Sequence, residues 1–316
     1  MKVLANDGIS KSGIKALEAG GFEVITTTVA QEQLINYINQ HDVSVLLVRS
    51  ATTVRKDLID ACSCIKIIGR GGVGMDNIDV EYAKSKGIHV INTPAASSQS
   101  VAELVFAHLF SGIRFLHDAN RNMPLDGDTK FGALKKAYAK GIELRGKTLG
   151  IVGIGRIGQE VAKIGLGLGM KVIATDKFID EVEVSVDIFN GQSLKVKIKS
   201  IDFDSVLRES DFITLHVPAQ KEFVIGAAEI EKMKDGAAII NAARGGVIDE
   251  VALIEALDSG KLSFAGLDTF ENEPTPAVKV LMNEKVSLTP HIGAATNEAQ
   301  DRIGTELAAQ IISILK

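Results

Sequence analysis

Short apolar runs alternate with amphipathic helical patterns almost from one end of this 316-residue chain to the other. Such runs are buried on both faces, and a strand followed by a helix rejoins its sheet only through a crossover. The alternation therefore calls for parallel sheets covered by helices. In the first part, strand-like runs fall at residues 3–5, 23–26, 43–48, 66–69 and 89–92, with helical patterns at 11–19, 31–40, 55–61 and 79–86. These form one doubly wound unit, closed by the N-T-P at 92–94. Residues 97–117 read as a single long helix, because Val101, Leu104, Val105, Leu109, Ile113 and Leu116 recur at helical spacing. The polar, basic stretch 120–147 reads as a surface excursion. A second unit starts at the apolar run 148–153 and keeps its own alternation to about residue 284. The amphipathic segment 294–316 can cross back to the first unit. The expected organisation is α/β, with two doubly wound parallel-sheet domains: a discontinuous one, 1–96 plus 287–316, and an inserted one, 97–286.

Composition removes some functions. Lys and Arg number 35 against 40 Asp and Glu, a formal charge of −5. That balance offers no pull toward nucleic acid or an anionic membrane, and leaves room only for a local basic pocket. The first residues form a strand-like run, neither a signal peptide nor a membrane span. Cys62 and Cys64 are the only cysteines. Their C-x-C spacing suits neither a zinc knuckle nor a disulfide, so reduced thiols, no metal site and a cytoplasmic location are expected.

The segment Gly153, Ile154, Gly155, Arg156, Ile157, Gly158 is a G-x-G-x-x-G between an apolar run, 149–152, and a helical pattern, 157–168. In that context Gly153 permits a tight turn, Gly155 lets backbone approach a pyrophosphate, and Gly158 lets helix pack on strand. The helix N-terminus, at Arg156 and Ile157, offers free N–H groups and a positive dipole end to phosphates. The next strand-like run, 171–175, ends at Asp176, about twenty residues beyond the glycines. A carboxylate there accepts from the adenine ribose hydroxyls and repels a 2′-phosphate, which selects NAD. The other reading is a structural glycine turn followed by a surface aspartate.

Three further residues stand beside turn signals: Arg244 in N-A-A-R-G-G (241–246), Glu273 in E-N-E-P (271–274) and His291 in T-P-H-I-G (289–293). A guanidinium can fork onto a carboxylate and polarise the adjoining carbonyl, while a histidine moves a proton. A glutamate beside that histidine favours its charged form. Alongside a hydride carrier, the trio describes chemistry on a 2-hydroxy acid and its 2-oxo acid. The alternatives are a capped turn histidine, a solvated Glu273, and an Arg244 paired with Asp249.

At these residues the sequence resembles the D-isomer-specific 2-hydroxyacid dehydrogenases over essentially its whole length. The matching stretches are GGVGMDNID (71–79), NTP (92–94), LRGKTLGIVGIGRIG (144–158), HVP (216–218), NAARGG (241–246), LD (267–268), EP (273–274) and TPHIG (289–293). The resemblance implies a flavodoxin-like substrate domain, a Rossmann cofactor domain, an active-site cleft between them, and homodimers joined through the cofactor domain. It makes Arg244 the substrate-binding arginine, His291 the acid/base and Glu273 its partner. It also makes Asp268 the acid that holds the nicotinamide carboxamide. Val73, His216, Val217, Pro218, Arg244, His291 and the backbone at Ala242 and Gly293 become cofactor-lining.

Within the family, the stretches VRSAT (48–52) and GRGGVGMDNID (69–79) look most like those of 3-phosphoglycerate dehydrogenases. That implies NAD-dependent oxidation of D-3-phosphoglycerate to 3-phosphohydroxypyruvate, the entry into serine synthesis. Arg49, Ser50, Gly72 and Val73 would then contact substrate together with Arg244 and His291, with Arg49 on the phosphate. Arg49 as a plain strand-end surface residue is the alternative, and Lys135 and Lys136 could add charge from a partner subunit. Two rival functions stay open: a glyoxylate or hydroxypyruvate reductase, and a dinucleotide-sensing protein like the corepressors that share this fold. The chain departs from the family's pattern twice. It ends one helix past His291, so a C-terminal serine-binding regulatory module is not expected. Residues 182–199 read as a β-hairpin around Asn190-Gly191, with a structural or assembly role rather than contact with the adenine pocket.

Overall fold

Each strand–helix alternation becomes a crossover between parallel strands. The computed structural model describes residues 1–316. One unit, residues 1–100 with 294–316, contains β1 (Lys2–Ala5), α1 (Lys11–Ala19), β2 (Glu23–Ile25), α2 (Gln31–His41), β3 (Val43–Val48), α3 (Lys56–Ala61), β4 (Ile67–Arg70), α4 (Val80–Ser85) and β5 (His89–Asn92). α5 (Ser98–Ile113) carries the chain into the other unit, residues 101–293, followed by α6 (Leu116–Asp126), α7 (Phe131–Ala137), β6 (Thr148–Val152), α8 (Arg156–Gly167) and β7 (Lys171–Thr175). Next come β8 (Glu181–Asp187), β9 (Ser193–Lys199), α9 (Phe203–Glu209), β10 (Phe212–Leu215), α10 (Ala227–Lys232) and β11 (Ala237–Asn241). The last elements are α11 (Glu250–Ser259), β12 (Leu262–Leu267), α12 (Val278–Leu281), β13 (Val286–Leu288) and α13 (Asn297–Leu315), which belongs to the first unit.

The first unit's sheet is all parallel, in the order β2-β1-β3-β4-β5, the flavodoxin-like arrangement. All six residues of β3 are buried, and their alternation explains why. Leu46 and Val48 join Leu34 and Ile38 of α2 and Leu58 of α3 on one face. Val45 and Leu47 join Leu17 of α1 and Ile303, Leu307 and Ile311 of α13 on the other. The C-terminal helix is therefore part of this core. It packs on α1 at two glycines: a Cβ on Gly13 would stand 2.8 Å from the Gly304 Cα. Side-chain caps start both helices, Ser10 accepting from Gly13 N and Thr296 from Ala299 N.

The second unit's six-stranded sheet runs β13-β12-β11-β10-β6-β7, again parallel throughout. Helices α5 and α8 cover one face, where Val105, Phe106, Leu109 and Val161 meet Leu149, Ile151 and Ile240. Apolar residues of α9, α10 and α11 cover the other. After β7 the chain makes the antiparallel hairpin β8–β9, then crosses to the opposite side of β6. Strands β6 and β10 thus flank the switch point where open α/β sheets bind ligands. The hairpin packs on this unit's core. Val184 and Ile198 are buried in the α8-side core, and Ser200 just beyond it bridges Ala174 of β7.

Three readings change. The helix read over 97–117 is two helices, broken at Phe115, which adopts a left-handed φ of 55°. The buried stripe ends at Ile113, and Leu116 is 54% exposed, so helical spacing alone continued past the core. The excursion at 120–147 is itself largely helical, forming α6 and α7. Finally, residues 97–100 fall in the first unit and 287–293 in the second, because β13 pairs with β12. Cys62 and Cys64 carry free thiols, and burial pushes Cys62 up to about 11. No helix is long and apolar enough to cross a membrane.

Gly13→Ala should destabilise the fold by about 1–3 kcal/mol through overpacking against α13. Gly132→Ala, in α7 where an added Cβ meets nothing within 4 Å, should stabilise by about 0.5–1 kcal/mol through helix propensity. Urea denaturation of the two variants checks both signs.

Candidate active site

Arg244, Glu273 and His291 follow β11, β12 and β13, three neighbouring strands of one sheet. Asn241, the last residue of β11, closes the first turn from both ends: its Nδ2 donates to the Arg244 carbonyl (2.8 Å) and its Oδ1 accepts from Ala243 N (3.0 Å). Arg244 donates from its guanidinium to the Ala243 carbonyl at 2.6 Å. Gly245 brings this turn against the next one. A Cβ there would lie 1.8 Å from the Phe270 carbonyl oxygen, so only glycine permits the approach. Phe270 in turn donates its N–H to Glu273 Oε1 at 3.0 Å. The second glutamate oxygen, Oε2, lies 2.8 Å from His291 Nδ1. One carboxylate thus links the β12 loop to the histidine, and both side chains stay about one-third exposed.

His291 itself sits in the left-handed region, φ 54°, so its loop has to be held. Asp268, buried at the end of β12, does this: it accepts from Thr289 Oγ1 (2.6 Å), Ile292 N (2.8 Å) and Gly293 N (2.9 Å). Glu271, the other carboxylate of the E-N-E-P stretch, is engaged elsewhere. Its Oε1 accepts from Glu250 N at 2.7 Å, while Glu250 Oε1 accepts from Glu271 N at 2.8 Å. Asp249 caps α11, accepting from Val251 N and Ala252 N. A cavity of about 370 Å³ opens beside the histidine–glutamate pair, walled by Phe270, Pro274, Pro276, Leu281 and Leu288.

The remaining candidates lie in the other unit, at the ends of the adjacent strands β3 and β4. Arg49 is half-buried and Ser50 exposed. Asp7, just past β1, organises their loop by accepting from Arg49 N (2.6 Å), Thr52 N (3.1 Å) and Thr52 Oγ1 (2.5 Å). Asn77 ties down the same loop by donating to the carbonyls of Arg49 and Thr52. Gly72 has a φ of 147° and accepts at its carbonyl from Thr93 N, and Val73 accepts from Asn92 Nδ2. Asp7, Asn77 and Asn241 escaped the sequence reading. Their one signal was a polar residue placed at the end of an apolar strand or within a turn.

Known proteins are similar to this chain in sequence and fold. Residues 106–293 match the family described as D-isomer specific 2-hydroxyacid dehydrogenase, NAD binding domain. The chain belongs to that family. It is 45% identical over 320 residues to the hydroxypyruvate reductase of Thermotoga maritima, covering 99% of this chain and 98% of that one. It is 40% identical over 320 residues to the D-3-phosphoglycerate dehydrogenase of Archaeoglobus fulgidus, covering all of this chain but 58% of that protein. The chain therefore spans little more than half of that second relative. Among solved structures, the NAD⁺-bound 3-phosphoglycerate dehydrogenase of Entamoeba histolytica superposes with a TM-score of 0.77 at 30% identity, over 99% of this chain and 95% of that one.

The family's dinucleotide fits the residues present. Gly155 caps α8 without a side chain, the first turn holds no acid, and an added Cβ at Gly155 would meet nothing within 4 Å. The first N–H groups of α8 therefore face open space suited to phosphates. Gly153 and Gly158 are packing glycines instead: a Cβ on Gly153 (φ 96°) would stand 2.5 Å from the His216 carbonyl oxygen, and one on Gly158 2.2 Å from the Gly153 carbonyl oxygen. Asp176 has a second task beyond any ribose contact. It accepts from Ile154 N at 2.9 Å and so braces the glycine loop, while its other oxygen takes Phe178 N and Ile179 N. His216, which precedes Val217 and Pro218, has Nε2 3.0 Å from Thr214 Oγ1 and a buried Nδ1 without a partner. Burial pushes its imidazole down to about 3, so the ring is neutral there.

Burial raises the Glu250 carboxyl above its ordinary range, and the charges of Glu271 and Glu273 act in the same direction. A carboxyl that binds its proton more readily folded than unfolded stabilises at acid pH. That contribution is lost as pH rises from the unfolded pKa through the folded one. Glu250→Gln keeps an acceptor for Glu271 N and removes the charge. Its melting temperature relative to the parent should be higher near pH 7 than near pH 4 by scanning calorimetry; a constant difference would contradict the assignment.

Proposed function

We propose that this chain is an NAD-dependent dehydrogenase that oxidises D-3-phosphoglycerate to 3-phosphohydroxypyruvate, the first step of serine synthesis. The observation that carries the chemistry is the 2.8 Å contact between His291 Nδ1 and Glu273 Oε2. With Nδ1–H held by the carboxylate, Nε2 is the nitrogen left to exchange a proton with substrate, and the imidazolium formed is stabilised where it arises. Arg244 forks onto the substrate carboxylate and polarises the C2 oxygen. In oxidation the C2 hydroxyl gives its proton to His291 Nε2. The dinucleotide, when bound, would supply the acceptor for the C2 hydrogen as hydride. The C2 oxygen becomes a carbonyl, and reduction runs the same steps backwards. Gly153, Gly155, Arg156, Ile157, Gly158 and Asp176 hold the dinucleotide, with Val73, His216, Val217, Pro218, Ala242, Asp268 and Gly293 lining the nicotinamide side. Arg49, Ser50, Gly72 and Val73 read the far end of the substrate, and Arg49 meets the phosphate.

A second reading has its own support, the full-length likeness to a hydroxypyruvate reductase. The two differ in one group, the substrate phosphate. The homodimer belongs to the same proposal. The second unit exposes Leu116 (54%), Leu125 (76%) and Phe131 (60%) on α6 and α7, apolar surface that a second copy would cover.

His291→Asn should lower kcat roughly a hundred- to ten-thousandfold in steady-state assays of NADH formation, with the far-ultraviolet circular dichroism unchanged. Arg49→Ala should cut kcat/KM for the phosphorylated substrate roughly ten- to a hundredfold and leave hydroxypyruvate reduction nearly unaltered. Equal effects on both substrates would assign the reductase function instead.

A further inference from the structure

The second unit holds a buried histidine that the proposed chemistry does not use. His108 lies on α5, only 2% exposed. Both ring nitrogens have partners: Nδ1 is 2.9 Å from Ser287 Oγ, and Nε2 is 2.9 Å from Thr289 Oγ1. Thr289 passes its hydroxyl hydrogen to Asp268 Oδ1 at 2.6 Å. Asp268 then holds Ile292 N and Gly293 N, the two amides after His291. A continuous line of hydrogen bonds therefore runs from α5 to the backbone that keeps His291 in its left-handed conformation.

Proton counting gives this line one polarity. Thr289 has a single hydroxyl hydrogen and spends it on Asp268, so toward His108 it can only accept. Nε2 must then carry a hydrogen. Burial lowers the affinity of the ring for a second proton, which leaves Nδ1 as an acceptor for the Ser287 hydroxyl. Of the two neutral tautomers, only Nε2–H pairs both ring nitrogens. Gly266 of β12 lets α5 approach the sheet here: a Cβ on it would lie 2.6 Å from the His108 Cβ. A leucine could fill the same space without two buried polar atoms to satisfy.

We propose that His108 is a positioning residue for the proton-transfer site, acting through Thr289 and Asp268 to set the loop that carries His291. The inference rests on the dehydrogenase reading of the His291–Glu273 pair. His108 touches neither substrate nor dinucleotide. Its Nε2–H orients the Thr289 hydroxyl, that hydroxyl fixes one oxygen of Asp268, and the carboxylate fixes both amides. A loop shift of even about 1 Å at His291 would misplace Nε2, with a rate cost on the order of a hundredfold.

The amides of glutamine and asparagine separate this role from packing. His108→Gln can place an N–H where Nε2–H stood and keep the bond to Thr289. His108→Asn can imitate only the Nδ1 side and leaves Thr289 without its donor. For His108→Asn, kcat should fall roughly ten- to a hundredfold while KM for the hydroxy acid stays close to that of the parent, and His108→Gln should restore most of kcat. Equal losses in the two variants would overturn the proposal. Nitrogen-15 NMR of the parent protein should show His108 as the neutral Nε2–H tautomer. A charged ring or an Nδ1–H tautomer would overturn it without any variant having to fold. The amide resonances of Ile292 and Gly293 should move in His108→Asn and hold in His108→Gln. If the parent protein oxidised no 2-hydroxy acid, the functional reading would fail by itself. The tautomer and amide shifts would still decide whether His108 governs the loop.

Discussion

A parallel strand cannot be joined to its neighbour by a tight turn. That constraint organises everything else in the protein. Each strand is followed by a crossover, so all the strands of a sheet end at the same edge, and the loops leaving that edge lie beside one another. In the 101–293 unit this edge carries the glycine loop after β6, the His216 segment after β10, and the turns of Arg244, Glu273 and His291 after β11, β12 and β13. Residues up to 138 positions apart, Gly153 and His291, thereby leave one sheet at the same side.

Adjacency alone leaves such loops free to move, and the added order comes from backbone polar groups claimed by side chains at the strand ends. Asn241, Asp268 and Asp7 each stand at or just beyond the end of an apolar strand, and each accepts at least one loop amide. Buried carboxylates and amides are tolerated there because their partners are fixed, and each satisfied group removes a degree of freedom from a loop. Gly245 contributes by absence, since its missing side chain lets the Arg244 turn rest on the Phe270 carbonyl. The hydrogen-bonded line from His108 extends the same device into the helix layer behind the sheet.

Much of this could be read before any coordinates. The strands buried on both faces announced themselves as uninterrupted apolar runs, and the G-x-G-x-x-G was legible because strand, loop, helix and Asp176 followed in order. The choice of Glu273 over Glu271 was also readable through the matched E-P pair, and the contact with His291 agrees with it. Other features were opaque for physical reasons. Helical periodicity does not report where a core stops, so one helix was read through Phe115. The short strand β13 lies beyond the alternation read to about residue 284, since three residues carry no period of their own. Asp268 was assigned a ligand, yet most of its hydrogen-bonding capacity goes to the His291 loop. His108 is one polar interruption in an apolar helix, and no local pattern separates a buried, satisfied histidine from an exposed one.

The sequence by itself determined the class of fold, the alternation of strand and helix, and the glycine-rich turn between β6 and α8. These follow from patterns within about a dozen neighbouring residues, where burial and backbone conformation leave a periodic trace. The tertiary structure alone decided which carboxylate oxygen meets which amide, that Gly245 seats one active-site turn on another, and that α5 reaches the His291 loop through His108. The last two join residues 25 and 181 positions apart. At such separations nothing in the local chain encodes a partner, and only the packed sheet brings the two together.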